Sequence, residues 1–281
     1  MLKYRLTLGP ILIALLLGVL WLDQFMHDAH DWRPGIVILA VVMLPAIRVA
    51  SIELARMFEA KGNWVSANTM FLAGAAGCIG LIATGHGSDY DDPHTRLMLV
   101  ATAGCAAVAL ALFLHAREKR PTGALAAAAA AALAFVYLGL MPGFFLALRA
   151  EHSAWVLAAA ILVVKACDTG AYATGMTIGR HKLIYWLSPG KTWEGLAGGV
   201  LLAMLVSFLF LRPLADLTPG YALLVGAALG VVGQLGDLAI SLLKRDVQIK
   251  DAGQTLPGFG GVLDMIDSPL LAAPVAYWLL V

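Results

Sequence analysis

The membrane character of this chain is clearest in the segment Tyr221–Leu243, which reads YALLVGAALGVVGQLGDLAISLL and contains one charged residue, Asp237. A run of this length and polarity is typical of a helix that crosses a bilayer. The chain continues over Lys244–Ser268 as KRDVQIKDAGQTLPGFGGVLDMIDS, where acids, bases and glycines follow one another closely. An ionisable side chain inside a membrane span is costly and marks a functional site by default, so we interpret these residues as the centre of the protein's chemistry.

The composition of the whole chain agrees with a membrane protein. The 281 residues are 60% hydrophobic and 13% charged, with a mean hydropathy of +0.83, and this apolar share exceeds that of an ordinary soluble domain. The net charge of +1 gives no indication of a nucleic-acid partner. The cysteines all fall within apolar runs, which predicts small core residues rather than disulfides or a zinc site; they are Cys78, Cys105 and Cys167.

Apolar runs of membrane-spanning length follow one another along the chain. We place nine of them, near Leu6–Leu22, Gly35–Leu54, Trp64–Thr84, Leu97–Leu114, Gly123–Met141, Ala154–Met176, Leu196–Leu211, Tyr221–Leu243 and Ser268–Val281. The sequence therefore predicts an all-α fold, a polytopic transmembrane helical bundle with about nine spans. We expect one integral membrane domain over residues 1–281, with N-terminal helices in 1–150 and, in 151–281, the C-terminal helices and cytoplasmic loops that carry the candidate site.

The distribution of charge predicts the orientation in the membrane. When the N-terminus is placed in the cytoplasm, most of the 19 Lys and Arg residues lie on or near that side, as the positive-inside rule requires. The outer loops then carry acids instead, at Asp23, Asp28, Asp31, Asp89, Asp91 and Asp92. The candidate site is therefore expected at the cytoplasmic face. We also expect the first apolar run to be retained rather than cleaved, because no Ala-x-Ala site follows it before Asp23.

A second group of polar residues is predicted on the same side of the membrane. Within the run Ala154–Met176, Lys165 and Asp168 are three residues apart and Tyr172 follows four residues later, so all three share one helical face. A functional site is one interpretation of this face. An internal ion pair that only joins two helices is the alternative for Lys165 and Asp168.

A polar loop follows this run. The segment Gly179–Gly195 reads GRHKLIYWLSPGKTWEG, in which Ser188, Lys191 and Thr192 supply two hydroxyls and a cation. The tripeptide Thr192–Glu194 is predicted to start a helix. The free backbone N–H groups of a helix start favour an anion, so the loop is a second candidate for phosphate binding.

The residue types around Asp237 indicate phosphate chemistry. Carboxylates beside cations, followed by a flexible glycine-rich loop, are what a site for a metal ion and a polyphosphate requires. Helix capping is the simpler explanation of Asp264 and Asp267 taken alone, since both are predicted at a helix start. Capping does not account for the charged residues that accompany them, which are Asp237, Lys244, Arg245, Lys250 and Asp251.

These residues resemble the C-terminal signature of the phosphatidate cytidylyltransferases, the CDP-diacylglycerol synthases. The matching elements are Ser241-x-x-Lys244-Arg245, Lys250-Asp251 and Leu256-Pro257-Gly258-x-Gly260-Gly261-x-x-Asp264-x-x-Asp267, preceded by Gly236-Asp237. A second block of that family is similar to Asp168-x-x-Ala171-Tyr172 and Ser188-Pro189-x-Lys191-Thr192-Trp193-Glu194-Gly195. The chain departs from the family at Phe259 and Met265, where His and Arg are usual, and at Gly190, where Lys is common.

The resemblance implies a nucleotidyltransferase that transfers a cytidylyl group from CTP to phosphatidic acid, giving CDP-diacylglycerol and pyrophosphate in phospholipid biosynthesis. It implies Mg²⁺ as cofactor, with Asp237 and Asp264 as principal ligands and Asp267 as a further ligand or a residue behind them. Catalytic roles are implied for Asp237, Asp264, Lys244, Arg245 and Asp168. Substrate-binding roles are implied for Ser188, Lys191, Thr192, Lys250, Asp251 and Tyr172.

The implied partners are CTP, phosphatidic acid and membrane lipids, with no nucleic acid, and a homodimer is left open. The implied location is a bacterial inner membrane, with the site facing the cytoplasm. Two alternatives remain. Phe259 and Met265 leave room for nucleotidyl or phosphoryl transfer to another lipid phosphate or a polyprenol. The pair Lys165–Asp168 leaves room for a transporter or a non-catalytic membrane subunit, although a transporter would need polar residues throughout the depth of the membrane.

Overall fold

The structure, a computed structural model, describes residues 2–83, 92–117, 119, 121–255, 258 and 260–281, with the side chains of 2–6 and 93 left outside that description. The described residues are almost entirely helical. Helices α1 to α7 are Leu2–His30, Ile36–Ile38, Leu44–Ala60, Ala67–Ala83, Pro93–Ala116, Ala124–Leu133 and Met141–Glu151. Helices α8 to α12 are Ala154–Ile178, Trp193–Val206, Arg212–Leu214, Pro219–Asp246 and Val262–Leu280.

Several of these helices continue into one another through short π-helical segments, which are Leu39–Met43, Ala134–Leu140 and Ser207–Leu211. Eight of the resulting continuous helices, counted over the described residues, are long and apolar enough to cross a membrane. The remaining predicted run, Trp64–Thr84, which is the third along the chain, corresponds to the shorter apolar helix α4. The prediction of a polytopic helical bundle is therefore confirmed. The side of the membrane that each loop faces stays a prediction.

Helix α11 has the terminal residues that its sequence predicts. It begins at Pro219, whose fixed φ and missing N–H suit the first turn of a helix. It ends with Lys244 and Arg245 in its last turn, where positive charge offsets the partial negative charge of the free carbonyls. The interior of the helix carries the apolar run in between, so the two basic residues stand where the run ends.

The chain forms two compact units, which we describe separately. The first contains Met1–Glu151 and Asp251–Leu263, and the second contains His152–Lys250 and Asp264–Val281. The segment Asp251–Leu263 was expected with the C-terminal helices, and here the structure differs. Its place in the first unit has a physical reason, because Glu53 of α3 accepts hydrogen bonds from it. The expectation of a single membrane domain stays a prediction.

The first unit is held by close helix packing and by one buried ion pair. A Cβ atom added at Gly77 of α4 would lie 2.7 Å from the carbonyl oxygen of Phe135, so the two backbones approach closely only because this residue is glycine. The guanidinium of Arg149 donates to the carboxylate of Asp23 at 2.8 Å, and both side chains are buried. The same carboxylate also accepts from the N–H of Gly35 at 3.0 Å, which ties the start of α2 to α1.

The second unit brings α8, α9, α11 and α12 together through small residues. A Cβ added at Gly199 of α9 would lie 2.6 Å from the carbonyl oxygen of Cys167 in α8. A Cβ added at Gly236 of α11 would lie 2.5 Å from the carbonyl oxygen of Asp267 in α12. The absence of a side chain at Gly236 therefore lets α11 and α12 touch at the turn that carries Asp237.

A β-hairpin occupies the segment that was expected to be a loop. Strand β1, Lys182–Ile184, pairs antiparallel with strand β2, Ser188–Thr192, in an irregular register. A three-residue strand and a five-residue strand that contains Pro189 are too short to show the alternating pattern that identifies a strand in a sequence, so the sequence did not predict this hairpin. The helix start at Thr192–Glu194 is confirmed: α9 begins at Trp193, and the hydroxyl of Thr192 accepts from the N–H of Gly195 at 3.0 Å.

Candidate active site

The centre of the candidate site is an ion pair between Lys191 of β2 and Asp237 of α11. Their nitrogen and oxygen atoms are 2.7 Å apart, and both side chains are mostly covered. The same ammonium group donates to the side-chain oxygen of Gln234 at 2.8 Å and to its carbonyl oxygen at 3.3 Å. Ser241 donates to the other oxygen of Asp237 at 3.4 Å. The hairpin therefore places the ammonium group of Lys191 next to Asp237, the one charged residue of the apolar run Tyr221–Leu243.

A second ion pair joins α11 to α12. The ammonium of Lys244 donates to the carboxylate of Asp264 at 2.7 Å, and only 12% and 9% of the two side chains are exposed. Lys244 lies two turns after Asp237 on the same helix, so both charged residues are on neighbouring parts of one surface. Two lysines from different elements are therefore held against two aspartates within the second unit.

The face of α8 that was predicted to be polar joins the same cluster. Lys165 and Asp168 form an ion pair at 3.2 Å, one turn apart. Asp168 also accepts from the amide of Gln234 at 2.8 Å and from the hydroxyl of Ser268 at 3.4 Å. Asp168 consequently links α8 to α11 and α12. The pair is part of the larger cluster and is not an isolated bond between two helices.

Asp267 is the most enclosed acid of the cluster, with 5% of its surface exposed. One of its oxygens accepts from the backbone N–H and the hydroxyl of Ser268, at 2.6 and 3.2 Å. Its carboxyl group neighbours that of Asp237. Two carboxyl groups brought together in this way repel unless a proton or a cation lies between them, which is a condition that a divalent cation would satisfy.

Two polar residues of the cluster were not assigned a role from the sequence. Gln234 receives Lys191 and donates to Asp168, and Ser268 donates to Asp168 and Asp267. Gln234 carries a signal in the sequence, because it is a polar residue in the apolar run, three residues before Asp237 and on the same helical face. Ser268 carries no comparable signal, since serine is common in membrane helices.

The other predicted site residues take no part in these ion pairs, as far as the described contacts extend. Tyr172 is 70% exposed. Arg245 donates to the carbonyl oxygens of Leu187 and Ile249, at 3.4 and 3.2 Å. Ser188 is half-buried in β2, and Thr192 is buried and caps α9. Lys250 is exposed, and Asp251 is exposed in the first unit. The substrate-binding roles of these residues stay predictions.

Two of the three departures from the expected signature are Phe259 and Met265. Phe259 lies outside the described residues. Met265 is half-buried in the first turn of α12, directly after Asp264. A thioether cannot donate a hydrogen bond to a phosphate, so at this position the chain offers no cation of its own.

The carboxylate groups of the cluster are suitable ligands for a hard divalent cation. Carboxylate oxygens are the ligands that Mg²⁺ prefers, and Mg²⁺ is commonly held by one or two carboxylates and completed by substrate phosphates and water. Among the described residues, no group of three or more His, Cys, Asp or Glu side chains surrounds one point. The residues therefore fit a cation held by the neighbouring carboxyl groups of Asp237 and Asp267, with the remaining ligands supplied by the substrate.

The charges of the cluster are nearly balanced. Its described ion pairs set three lysines against three aspartates, with Asp267 as a further acid. An incoming phosphate competes with the carboxylates for the lysines, and an incoming cation competes with the lysines for the carboxylates. The chemistry of the cluster therefore suits a metal ion bound together with a polyphosphate.

Comparison with known proteins agrees with this chemistry. A model described as "Cytidylyltransferase family" matches residues 3–281. The phosphatidate cytidylyltransferase of Bacillus subtilis (strain 168) is 40% identical over 148 residues, which are 52% of this chain and 55% of the relative. That of Staphylococcus epidermidis (strain ATCC 35984) is 42% identical over 147 residues, 52% and 56% of the two chains. The Escherichia coli (strain K12) protein YnbB is 39% identical over 142 residues, 46% and 48%.

The chain spans about half the length of the curated relatives it matches. The family model, in contrast, extends over nearly the whole sequence and includes all the ion pairs described above. By this match and by its apolar helices, the protein is a membrane-embedded member of the cytidylyltransferase family.

Proposed function

We propose that this protein transfers a cytidylyl group from CTP to phosphatidic acid, giving CDP-diacylglycerol and pyrophosphate, at the cluster of Lys191, Asp237, Lys244, Asp264 and Asp267. The observation that carries the proposal is the pairing of two mostly covered lysines with two aspartates in a unit built of membrane-length helices. Relatives named phosphatidate cytidylyltransferase support the choice of substrates.

The proposed reaction is a displacement at phosphorus. An oxygen of the lipid phosphate attacks the α-phosphorus of CTP, the bond from that phosphorus to the bridging oxygen breaks, and pyrophosphate leaves with the bond's electron pair. Both reactants are anions, so their repulsion must be offset before they meet. No protein nucleophile is required, because positioning and stabilisation of charge account for most of the catalysis of phosphoryl-type transfer.

The ion pairs of two lysines support their proposed role in binding phosphate. The ammonium groups of Lys191 and Lys244 each lie 2.7 Å from a carboxylate oxygen. Each ammonium group can exchange that carboxylate for a phosphate oxygen, since both are anionic acceptors of the same hydrogen bonds. We assign Lys244 to the triphosphate or the lipid phosphate, and Lys191 to the other anion.

The proposed ligands of Mg²⁺ are the acids Asp237, Asp264 and Asp267. The carboxyl groups of Asp237 and Asp267 are neighbours. Asp264 could bind the metal ion once Lys244, its partner in the ion pair, binds a phosphate instead. When bound, Mg²⁺ would neutralise phosphate charge and polarise the phosphoryl oxygens. Asp168 holds Gln234 and Ser268 in place behind these acids, through hydrogen bonds of 2.8 and 3.4 Å.

The proposed location is a bacterial plasma membrane, with the cluster facing the cytoplasm, where CTP is found. The distribution of Lys and Arg supports this orientation, and the named relatives are bacterial. A homodimer is left open, and the proposed mechanism does not use one.

A second candidate function is nucleotidyl transfer to a different lipid phosphate or to a polyprenol phosphate. Met265 supports it, because an apolar side chain directly after Asp264 leaves that side of the site without the arginine that the family usually has. The same lysines and acids would serve this reaction. Only the acceptor would change, so an assay with several acceptors distinguishes the two.

The test is an assay of the purified full-length chain in detergent micelles with labelled CTP and Mg²⁺. Phosphatidic acid and a polyprenyl phosphate are offered in separate reactions, and both the lipid product and pyrophosphate are measured. We expect labelled CDP-diacylglycerol and pyrophosphate in equal amounts, with loss of both when Mg²⁺ is removed by EDTA. Transfer to the polyprenyl phosphate alone would favour the second function, and no transfer from CTP to either lipid would refute both.

A further inference from the structure

The carboxylate of Glu53 is enclosed in the first unit, with 1% of the residue exposed. It lies in α3, within a helix long and apolar enough to cross a membrane. A buried carboxylate is costly unless hydrogen bonds replace the water that it has lost. The groups that replace that water come from the segment Asp251–Leu263, which we call the glycine loop.

Three hydrogen bonds from the glycine loop converge on this carboxylate. One oxygen accepts from the hydroxyl of Thr255 at 2.7 Å and from the backbone N–H of Val262 at 2.9 Å. The other oxygen accepts from the backbone N–H of Leu263 at 2.9 Å. Val262 and Leu263 are the first residues of α12, where backbone N–H groups have no partner inside the helix. Glu53 therefore binds the loop at Thr255 and at its C-terminal end.

Two glycines of the loop lie directly against the carboxylate. A Cβ atom added at Gly253 would be 2.7 Å from one oxygen of Glu53, and one added at Gly261 would be 2.6 Å from the other. Both distances are shorter than a real Cβ allows, so any other residue at these positions would displace the carboxylate or the loop. Glycine is thus required by close approach to Glu53, in addition to the positive φ angles of Gly258 and Gly260.

We propose that Glu53 is a positioning residue for the reaction, which acts by fixing the backbone of the glycine loop. This inference rests on the proposed function. The loop joins two residues of the candidate site in the chain, because Lys250 precedes it and Asp264 follows Leu263 directly. A hydrogen bond to the N–H of Leu263 therefore fixes the peptide group that joins Val262 to Leu263, the residue before Asp264.

The conservative variant Glu53→Gln separates this role from simple packing. Glutamine has nearly the same size but replaces one acceptor oxygen by an NH₂ group, which donates and cannot accept. Because donors of the loop face both oxygens, at least one donor loses its partner in either orientation of the amide. We expect kcat to fall by roughly ten- to a hundredfold, as for a misplacement of about 1 Å. The matched control is Glu59→Gln, an exposed acid on the same helix.

A direct readout is hydrogen–deuterium exchange of the full-length protein in detergent micelles, measured by mass spectrometry. In Glu53→Gln, the amide of Val262 or that of Leu263, whichever faces the NH₂ group, should exchange at least about tenfold faster, because a broken hydrogen bond exposes it to solvent. The amides of α8 should be unaffected, and Glu59→Gln should behave as wild type throughout. Unchanged exchange at Val262 and Leu263 in Glu53→Gln would overturn the inference.

A double variant keeps the test decisive if Glu53→Gln proves unstable. Gly261→Ala alone places a methyl group against the carboxylate and should lower kcat. In a Glu53→Ala background, the space for that methyl group exists, so Gly261→Ala should cause no further loss. Independent effects that multiply in the double variant would mean that Glu53 and Gly261 do not act through one contact, and the inference would fall.

The two proposals fail in different ways. If the wild-type chain does not transfer from CTP to a lipid phosphate, the proposed function is wrong, and hydrogen exchange still decides whether Glu53 holds the loop. If the wild-type chain is active but Glu53→Gln keeps both its exchange pattern and its kcat, the proposed function stands and the role of Glu53 is wrong.

Discussion

The buried pair Lys244–Asp264 offers the most quantitative test of the site. The substitution is Lys244→Met, which keeps the length of the side chain and removes the charge. At 2.7 Å, two unit charges attract by about 6 kcal/mol with an effective dielectric constant of about 20. Part of that attraction offsets the cost of removing both charges from water, so the loss on removing one partner of a buried pair is about 3–5 kcal/mol.

We therefore expect Lys244→Met to lower the free energy of unfolding by about 3–5 kcal/mol, because the carboxyl group of Asp264, with 9% of its side chain exposed, loses the ammonium group of Lys244. The double variant Lys244→Met, Asp264→Met removes both charges and should recover much of this loss. The transfer activity, unlike the stability, should not recover in the double variant. Both variants lack the proposed phosphate-binding cation, and the double variant also lacks a proposed acid, so neither should transfer the cytidylyl group at a normal rate.

Two measurements on detergent-solubilised protein check these expectations. Denaturant titration gives the free energy of unfolding, and the dependence of the transfer rate on CTP gives kcat/KM. Lys182→Met is the control, since Lys182 is an exposed lysine of β1 and should leave both quantities unchanged. Wild-type stability in Lys244→Met would contradict the buried pair, and normal transfer by the double variant would show that Lys244 and Asp264 serve the fold alone.

Three further predictions test the acids, the orientation and the departure from the family signature. Asp237→Ala and Asp264→Ala should each reduce turnover by orders of magnitude while the protein still inserts into the membrane; near-normal transfer in either would remove that acid from the site. Single cysteines between Arg180 and Lys191, in a chain without its native cysteines, should react with an impermeant thiol reagent only from the cytoplasmic face, and labelling from outside would reverse the topology. Phe259→His should be tolerated and should lower the KM for CTP, because an imidazole can bind a phosphate and a phenyl ring cannot, whereas Arg245→Ala should raise that KM. Loss of activity in Phe259→His combined with normal kinetics in Arg245→Ala would contradict phosphate binding in this part of the chain.

Much of the helical architecture followed from local sequence patterns. Apolar runs of sufficient length form helices in a bilayer because every backbone polar group is then satisfied within its own segment. The pair Lys165–Asp168 was also predictable, because residues three apart on a helix are neighbours whatever surrounds them. The short hairpin Lys182–Thr192 was not predicted, since its residues lack the alternation that marks a strand and its pairing depends on contacts across the turn.

The choice of partners within the site was decided by tertiary structure alone. Asp237 was recognisable from the sequence as an acid in an apolar helix, but its pairing with Lys191 depends on where the hairpin meets α11. The hydrogen bond between Glu53 and Val262 joins residues 209 positions apart, and no local pattern relates them. The physical reason is that a helix is stabilised by bonds within one segment, whereas these contacts require separate segments to approach closely. Glycines such as Gly236 and Gly261 permit that approach, and only the packed structure shows which backbone or carboxylate they admit.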